Sequence, residues 1–131
     1  MKNTDRKVAD TVYRNNFGAF VYAAFKALNP AMRLVSNWHI DAICYGLEEM
    51  VMGRSRKRLI LNSPPRSLKS FIVSIALPAW IFGRSPAAKT VCASYSEDLA
   101  HKFSRDCRAL METRFYKRGV SVHQAQPEKD D

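Results

Sequence analysis

The chain has 131 residues, 47% of them hydrophobic and 25% charged, which suits one modest globular domain and argues against wholesale disorder. Its net charge of +9 favours contact with nucleic acid, with an anionic membrane surface as a weaker option, although charge alone identifies no partner. The N-terminus has no apolar signal segment, and no stretch approaches the ~20 apolar residues of a membrane span. We therefore predict a cytoplasmic protein that makes no membrane contact.

The three cysteines, Cys44, Cys92 and Cys107, are an odd number and form no C-x-x-C pair. Each lies within an apolar pattern, which is typical of a small buried side chain. We therefore predict three buried free thiols in a protein from a reducing compartment.

Residues 1–57 are predicted to form an N-terminal helical segment. Apolar side chains recur at helical spacing over residues 7–28, with Gly18 as a weak point, and an Asn-Pro pair then breaks the pattern. A second helix fits residues 38–52 and ends at Gly53.

Two short apolar runs predict strands, and each is followed by a helical pattern. The run at residues 59–61 suits a strand buried on both faces, and residues 89–96 supply the second candidate. Between them, residues 69–82 have helical spacing, although Pro78 is expected to kink that helix or end it early. Strands that alternate with helices are typical of an α/β fold with a parallel sheet.

The last predicted helix begins after the second strand. Ser94 and Glu97, three residues apart, form a candidate capping box, and the apolar face continues to Met111. The basic residues of this helix, Lys102 among them, are expected to lie largely away from that face. No periodicity remains in residues 117–131, which we interpret as an irregular tail.

The stretch "LNSPPRSLKS", residues 61–70, has the outline of a phosphate-binding loop. It lies between a predicted strand and a predicted helix and ends in Lys69-Ser70, as the pattern G-x-x-x-x-G-K-[ST] requires. Ser63 and Leu68 replace both glycines of that pattern. Since leucine tolerates positive φ poorly, Leu68 is expected to keep an ordinary backbone conformation.

This loop has few backbone donors for a phosphate. Pro64 and Pro65 have no N–H group, so the donors have to come from residues 66–70. Arg66, which is followed by Ser67, adds a side chain that can contact phosphate through two hydrogen bonds. The alternative is an ordinary surface loop whose lysine and arginine are merely solvated.

Three stretches resemble the start of a tailed-phage terminase large subunit, the ATPase motor that packages double-stranded DNA. They are "LNPAMRLVSNWHIDAICYGLEEM", "RLILNSPPRSLKSFIVSIALPAWIFGRSP" and "ASYSEDLAHKFSRDCRALMETRFY", and the similarity runs over roughly residues 17–116. Many terminases depart from the glycine pattern, and an arginine inside the loop is characteristic of them. The resemblance implies a partial P-loop NTPase core at residues 58–116, with a parallel sheet flanked by helices.

The resemblance also assigns a role to each part of the loop. Residues Ser63 to Ser70 would bind ATP. Lys69 would hold the β- and γ-phosphates, Arg66 would sense or clamp the γ-phosphate, and Ser70 would ligate Mg²⁺. Lys69 and Arg66 would thus be the catalytic residues.

The "NWHID" stretch occupies the place where related motors carry an adenine-contacting motif. Trp38 could stack on the base, and His39 could hydrogen-bond to it. The glutamine that is usual in this motif is absent. An equal alternative is therefore that both side chains only seat the helix on the core.

Other parts of the family are missing from this sequence. No apolar run ends in the aspartate that supports Mg²⁺, and no glutamate or aspartate cluster is placed for hydrolysis or nuclease chemistry. The intact family implies double-stranded DNA, the small terminase subunit and the portal protein as partners. We expect a truncated or frame-shifted chain that binds ATP but does not hydrolyse it alone. The alternatives are a non-catalytic basic DNA-binding or assembly module and a decayed prophage product.

Overall fold

The computed structural model describes residues 3 to 120, and within that range the chain forms helices and no strand. The elements are α1 (Asn3–Asn15), α2 (Phe17–Leu28), α3 (Trp38–Val51), a π-helical segment (Phe71–Ala76) continuous with α4 (Leu77–Arg84), α5 (Glu97–Glu112) and α6 (Arg114–Gly119). The predicted α/β fold with a parallel sheet, and with it a sheet-based P-loop NTPase core, is therefore wrong for the described residues. None of the described helices is long and apolar enough to cross a lipid bilayer.

The two predicted strands, residues 59–61 and 89–96, have no regular secondary structure; we name them the unpaired segments. They border clefts on different sides of the helix that follows the loop, and no backbone hydrogen bond joins them. Ile60 is 86% exposed and Val91 is 95% exposed, in contrast to the predicted burial. A helix pairs its backbone groups internally, whereas a strand needs a neighbour, and neither segment has one among the described residues.

Helix α2 lies at the centre of the hydrophobic core. Phe17, Phe20 and Val21 on α2 are fully buried, and the Phe17 ring lies 5.1 Å from the ring of Trp80 on α4. Asn16 separates α2 from α1, and its side chain caps α2 by accepting a hydrogen bond from the Ala19 N–H at 2.8 Å. The single helical pattern predicted over residues 7–28 is therefore two helices.

The C-terminal end of α3 and the start of α5 follow capping chemistry. Helix α3 ends within one residue of the predicted range, and Gly53 follows its C-cap, Met52, with a φ of 72°, the left-handed conformation that favours glycine. Helix α5 begins at Glu97, and Ser96 is its N-cap, since the Ser96 hydroxyl accepts from the Leu99 N–H at 3.5 Å. The predicted capping box from Ser94 is wrong, because the helix starts two residues later than that box requires.

The helix after the loop continues past Pro78 to Arg84, so the predicted early end is wrong. Proline lacks an N–H group, and its ring crowds the carbonyl four residues earlier. The wider π-helical turn stands immediately before this position, and the Leu77 N–H bonds to the Ile72 carbonyl five residues back. We attribute the π-helical segment to this proline.

Helix α6 closes the fold against α1. The Arg14 side chain donates to the Gly119 carbonyl at 3.0 Å, and Val120 is fully buried beside Gly83. A Cβ atom on Gly83 would lie 2.6 Å from Val120 Cγ1, so this contact requires glycine. Residues 117–120 of the predicted irregular tail are thus part of a helix and the core, and residues 121–131 lie outside the described residues.

Candidate functional site

The loop of residues 63–70 separates two clefts. The α5-side cleft has a volume of about 690 Å³ and is lined by the whole loop together with side chains of the π-helical segment, the end of α2 and α5. The α3-side cleft has a volume of about 510 Å³ and is lined by residues 61–67 and the first turn of α3. Because residues 63–67 border both clefts, the loop can be reached from two sides.

The backbone of this loop is left-handed at two residues. Leu68 has a φ of 61° and Arg66 a φ of 65°, which are uncommon values for residues other than glycine. The expectation of an ordinary backbone at Leu68 is therefore wrong. Leu68 holds the conformation that glycine adopts without steric cost, at the position where the phosphate-loop pattern has its second glycine.

Burial of the Leu68 side chain offsets the cost of this conformation. A left-handed residue with a Cβ atom costs roughly 1–2 kcal/mol. The Leu68 side chain is half-buried and packs against the hydrophobic core, which contributes a comparable stabilisation for a partly buried leucine. The loop is also braced by a hydrogen bond from the Ser63 hydroxyl to the Ser67 hydroxyl at 2.5 Å.

The loop leads directly into a helical turn at Lys69 and Ser70, which continues into the π-helical segment at Phe71. Within residues 3–120, the backbone N–H groups of Leu68, Lys69 and Ser70 donate no hydrogen bond to the protein. Free N–H groups at the start of a helix, together with the positive end of the helix dipole, attract anions. The backbone here is therefore suited to bind a phosphate.

The predicted loop residues all line the α5-side cleft. The Lys69 side chain is half-buried, whereas Arg66 and Ser70 are exposed, so two cations and a hydroxyl reach the same space. Pro64 and Pro65 are exposed at the rim of this cleft and provide no N–H donors. The structure thus brings together the whole set of residues predicted from the loop pattern.

Trp38 and His39 line the α3-side cleft, opposite loop residues 63–67. Trp38 is 79% exposed, and its ring lies at 86° to the His39 ring with centroids 6.4 Å apart. The alternative that Trp38 only seats the helix on the core requires a buried indole, and the Trp38 indole is exposed. Lys69 does not line this cleft, so the aromatic pair and the lysine are on opposite sides of the loop.

Helix α5 contributes residues to the site that the sequence patterns missed. Lys102, Phe103 and Asp106 line the α5-side cleft, and Lys102 Nζ lies 3.0 Å from Asp106 Oδ2. Lys102 was expected to point away from the apolar face. The available signal was its position next to Phe103 and four residues before Asp106, because residues four apart share one side of a helix.

The Ser70 hydroxyl in the α5-side cleft fits a Mg²⁺ ion that arrives with phosphate. The Asp106 carboxylate of this cleft is paired with Lys102, and among residues 3–120 no group of three or more metal-ligating side chains is present. Mg²⁺ keeps several waters and binds through one or two protein oxygens plus phosphate oxygens. The residues therefore suit a phosphate-bound Mg²⁺ rather than an ion held by protein alone.

No protein-family model, no curated protein and no solved structure matches this chain. The resemblance to terminase large subunits consequently rests on the three stretches quoted above. What the site can do follows from its own residues and their geometry.

Proposed function

We propose that residues 63–70 bind the phosphate groups of Mg-ATP. The observation that carries this proposal is the left-handed backbone of Leu68 directly before Lys69-Ser70, where free N–H groups open a helix. Strained backbone conformations cluster at ligand-binding sites, because a surrounding structure has to hold them in place. This proposal does not need the sheet that the sequence predicted, since a helix start provides the donors by itself.

Three polar side chains of the loop have proposed roles in binding. The Lys69 ammonium contacts the β- and γ-phosphates, and the Arg66 guanidinium contacts the terminal phosphate through paired hydrogen bonds. The Ser70 hydroxyl is the protein ligand of Mg²⁺, which neutralises phosphate charge when it is bound. Trp38 and His39 lie in the α3-side cleft, so the base reaches them across residues 63–67, which border both clefts. There Trp38 provides an exposed aromatic face for the base, and His39 provides a hydrogen-bonding edge.

The proposed activity of this chain alone is binding without turnover. Asp106 is the single carboxylate that lines the α5-side cleft among the described residues, and it is paired with Lys102. Hydrolysis needs an acid that supports Mg²⁺ and a further group that orients water. We therefore assign no hydrolytic step to these residues.

The biological setting that we propose is a terminase-like DNA-packaging motor in a bacterial cytoplasm. The support is the resemblance of the three quoted stretches, together with the net charge of +9. In that setting the partners are double-stranded DNA, a small terminase subunit and a portal protein. Nucleotide binding by the loop is the part of this proposal that purified protein can test.

The test is a thermal unfolding experiment with Mg-ATP. We expect Mg-ATP at about one hundred times its Kd to stabilise the fold by about 2.7 kcal/mol. Lys69→Ala should abolish that stabilisation, whereas Lys89→Ala, which removes the same charge from an exposed residue away from both clefts, should retain it. Equal stabilisation of the Lys69 and Lys89 variants would contradict the proposal.

Trp38 provides a second, local readout. Its indole is exposed, whereas the other tryptophan, Trp80, is fully buried in the core. A base that stacks on Trp38 should therefore quench the exposed fluorophore, and Trp38→Phe should remove the quenching while Mg-ATP still stabilises the fold. Unchanged quenching in Trp38→Phe would exclude this residue as the base contact.

A second candidate function is nucleic-acid binding through the basic surface. Arg56, Lys57 and Arg58 are exposed and form no ion pair within residues 3–120, whereas neighbouring Arg54 pairs with Glu49 at 2.7 Å. Unpaired cations in a row are suited to contact a phosphate backbone. The specific observation in favour is that this positive charge is not neutralised locally.

The nucleic-acid candidate predicts duplex binding that is salt-sensitive and indifferent to ATP. Replacing Arg56, Lys57 and Arg58 by glutamine should reduce the dependence of log K on log salt by up to about three units. Lys69→Ala should leave that binding nearly unchanged. A loss of duplex binding in Lys69→Ala that matches its loss in the triple variant would instead favour the loop as the shared anion site.

A further inference from the structure

We infer that Lys102 on α5 is an additional phosphate-binding residue that gives the α5-side cleft its preference for nucleoside triphosphates, and that Asp106 positions it. This inference rests on the proposed function and deepens it. Lys102 and Asp106 face the loop across the cleft that contains Arg66 and Lys69. They lie on α5, across the cleft from the loop. They are therefore suited to contact the far end of a ligand whose other part is held by the N–H groups of residues 68–70.

The charges in the cleft support a polyphosphate ligand. Arg66, Lys69 and Lys102 line the cleft with a single carboxylate, Asp106, which leaves a net charge of +2. A volume of about 690 Å³ is within the range of sites that bind whole small molecules. An anion with several charges can contact more than one of these cations, as a polyphosphate does.

The Lys102–Asp106 pair is weak enough to rearrange when a phosphate binds. The Lys102 side chain is 59% exposed and the Asp106 side chain 38%, and exposed pairs four residues apart on a helix contribute little stability. The order of the pair, with the cation nearer the helix N-terminus, is also the less favourable one. A phosphate therefore competes well for the ammonium, while Asp106 keeps it directed towards the cleft.

The experiment measures Kd values of the full chain for Mg-ATP, Mg-ADP and AMP by calorimetry. Lys102→Gln should weaken Mg-ATP binding about tenfold while AMP binding changes by less than about twofold, because a charge-assisted contact to the terminal phosphate is lost. The matched control is Arg105→Gln, which removes a cation from the exposed side of the same helix, away from both clefts. This control should bind all three nucleotides as the wild type does.

Two further variants separate contact from structure. Lys102→Arg should retain most of the triphosphate preference, because it keeps the charge. Asp106→Asn releases the Lys102 ammonium, so it should lower the preference for triphosphate, measured as the Kd for Mg-ADP divided by the Kd for Mg-ATP. Its melting temperature should be unchanged. A variant melting temperature equal to that of the wild type is the check that the fold is intact.

The outcomes distinguish the two levels of the proposal. If the wild type binds no nucleotide, or if Lys69→Ala binds as tightly as the wild type, the proposed function fails and the role of Lys102 fails with it. If Lys69→Ala abolishes binding but Lys102→Gln and Arg105→Gln lose ATP affinity equally, only the role of Lys102 is overturned. A tenfold loss confined to Lys102→Gln and to phosphate-rich ligands supports the inference.

Discussion

The centre of the helical core and the two unpaired segments contain similar apolar residues in opposite surroundings. Phe20 on α2 is fully buried, whereas Ile60 and Val91 in the unpaired segments are 86% and 95% exposed. Apolar composition alone therefore does not place a side chain in the core. A helix brings its own backbone hydrogen bonds to the core, whereas an isolated extended run would bury backbone groups without partners.

Thiol reactivity should show the largest contrast between the two regions. Cys44 is 2% exposed, and burial, with added repulsion from Asp41 and Glu48, raises its pKa from 9.0 to about 12. Cys92 is exposed in an unpaired segment, so the prediction of three buried thiols is wrong for this residue. With an aromatic disulfide reagent at about pH 8, we expect Cys92 to react at least about a thousandfold faster than Cys44.

The thiol assignment is checked with Cys92→Ser, which should remove the fast phase and leave the slower reactions of buried Cys44 and half-buried Cys107. The raised pKa also means that the thiolate of Cys44 remains scarce until the pH approaches about 12. A fast phase that survives in Cys92→Ser and disappears in Cys44→Ala would reverse the comparison.

Truncation of apolar side chains should give the next largest contrast. Phe20→Ala should cost about 3–5 kcal/mol of unfolding free energy, because it removes a buried ring and leaves a cavity. Ile60→Ala should change the unfolding free energy by less than about 0.5 kcal/mol, since its side chain is already in water. Chemical denaturation of both variants measures the difference, and similar losses would mean that the unpaired segment is buried in solution.

The backbone at Leu68 predicts an unusual order of two variants. Leu68→Ala keeps the steric cost of a left-handed residue and loses the packing of the side chain, whereas Leu68→Gly loses the packing but removes the steric cost. We therefore expect Leu68→Gly to be the more stable variant by about 1 kcal/mol. Leu77→Ala and Leu77→Gly, at a helical position with φ −62°, form the control pair and should show the reverse order.

Tyr116 should give the smallest effect, visible only at high pH. Its hydroxyl donates to the Ala79 carbonyl at 2.6 Å, and burial, with a smaller contribution from Cys107, raises its pKa from 10.0 to about 12. The stability due to the neutral phenol is fully present below pH 10 and is lost as the pH rises towards 12, because the unfolded chain ionises first. At about pH 10.5 we expect the wild type to have lost about 0.8 kcal/mol more than Tyr116→Phe, relative to pH 8. Identical pH profiles of the two proteins would contradict the raised pKa.

The helices were predictable from sequence to the extent that their signals are local. The range of α3 and the glycine that ends it follow from spacing and capping within the segment. The failure of the two unpaired segments to form strands was not predictable in this way, because residues 59–61 look the same whether or not a neighbouring strand is present. The break at Asn16 was missed although its capping bond to the Ala19 N–H is local. At Pro78 the sequence left a kink and an early end as alternatives, and only the early end is wrong.

For the candidate site, the sequence predicted a set of residues but not the conformation of the loop that contains most of them. The loop pattern named residues 63–70, all of which line one cleft, and it placed Trp38 and His39 near the loop. It could not indicate that Leu68 adopts a left-handed backbone, because that conformation is maintained by packing against the core. The position of Lys102 in this cleft was also missed, since only the tertiary arrangement brings α5 to the loop.

The contact between α1 and α6 has a consequence for the time course of folding. The hydrogen bond from Arg14 to Gly119 joins residues 105 positions apart, and Val120 packs into the space beside Gly83. During synthesis at about 5–20 residues per second, the contact of α1 with α6 therefore cannot form until roughly 5–20 s after α1 has been synthesised. Helices α2 and α3, close in sequence, can pack much earlier. Among the described residues, the contact between α1 and α6 is consequently one of the last that the growing chain can form.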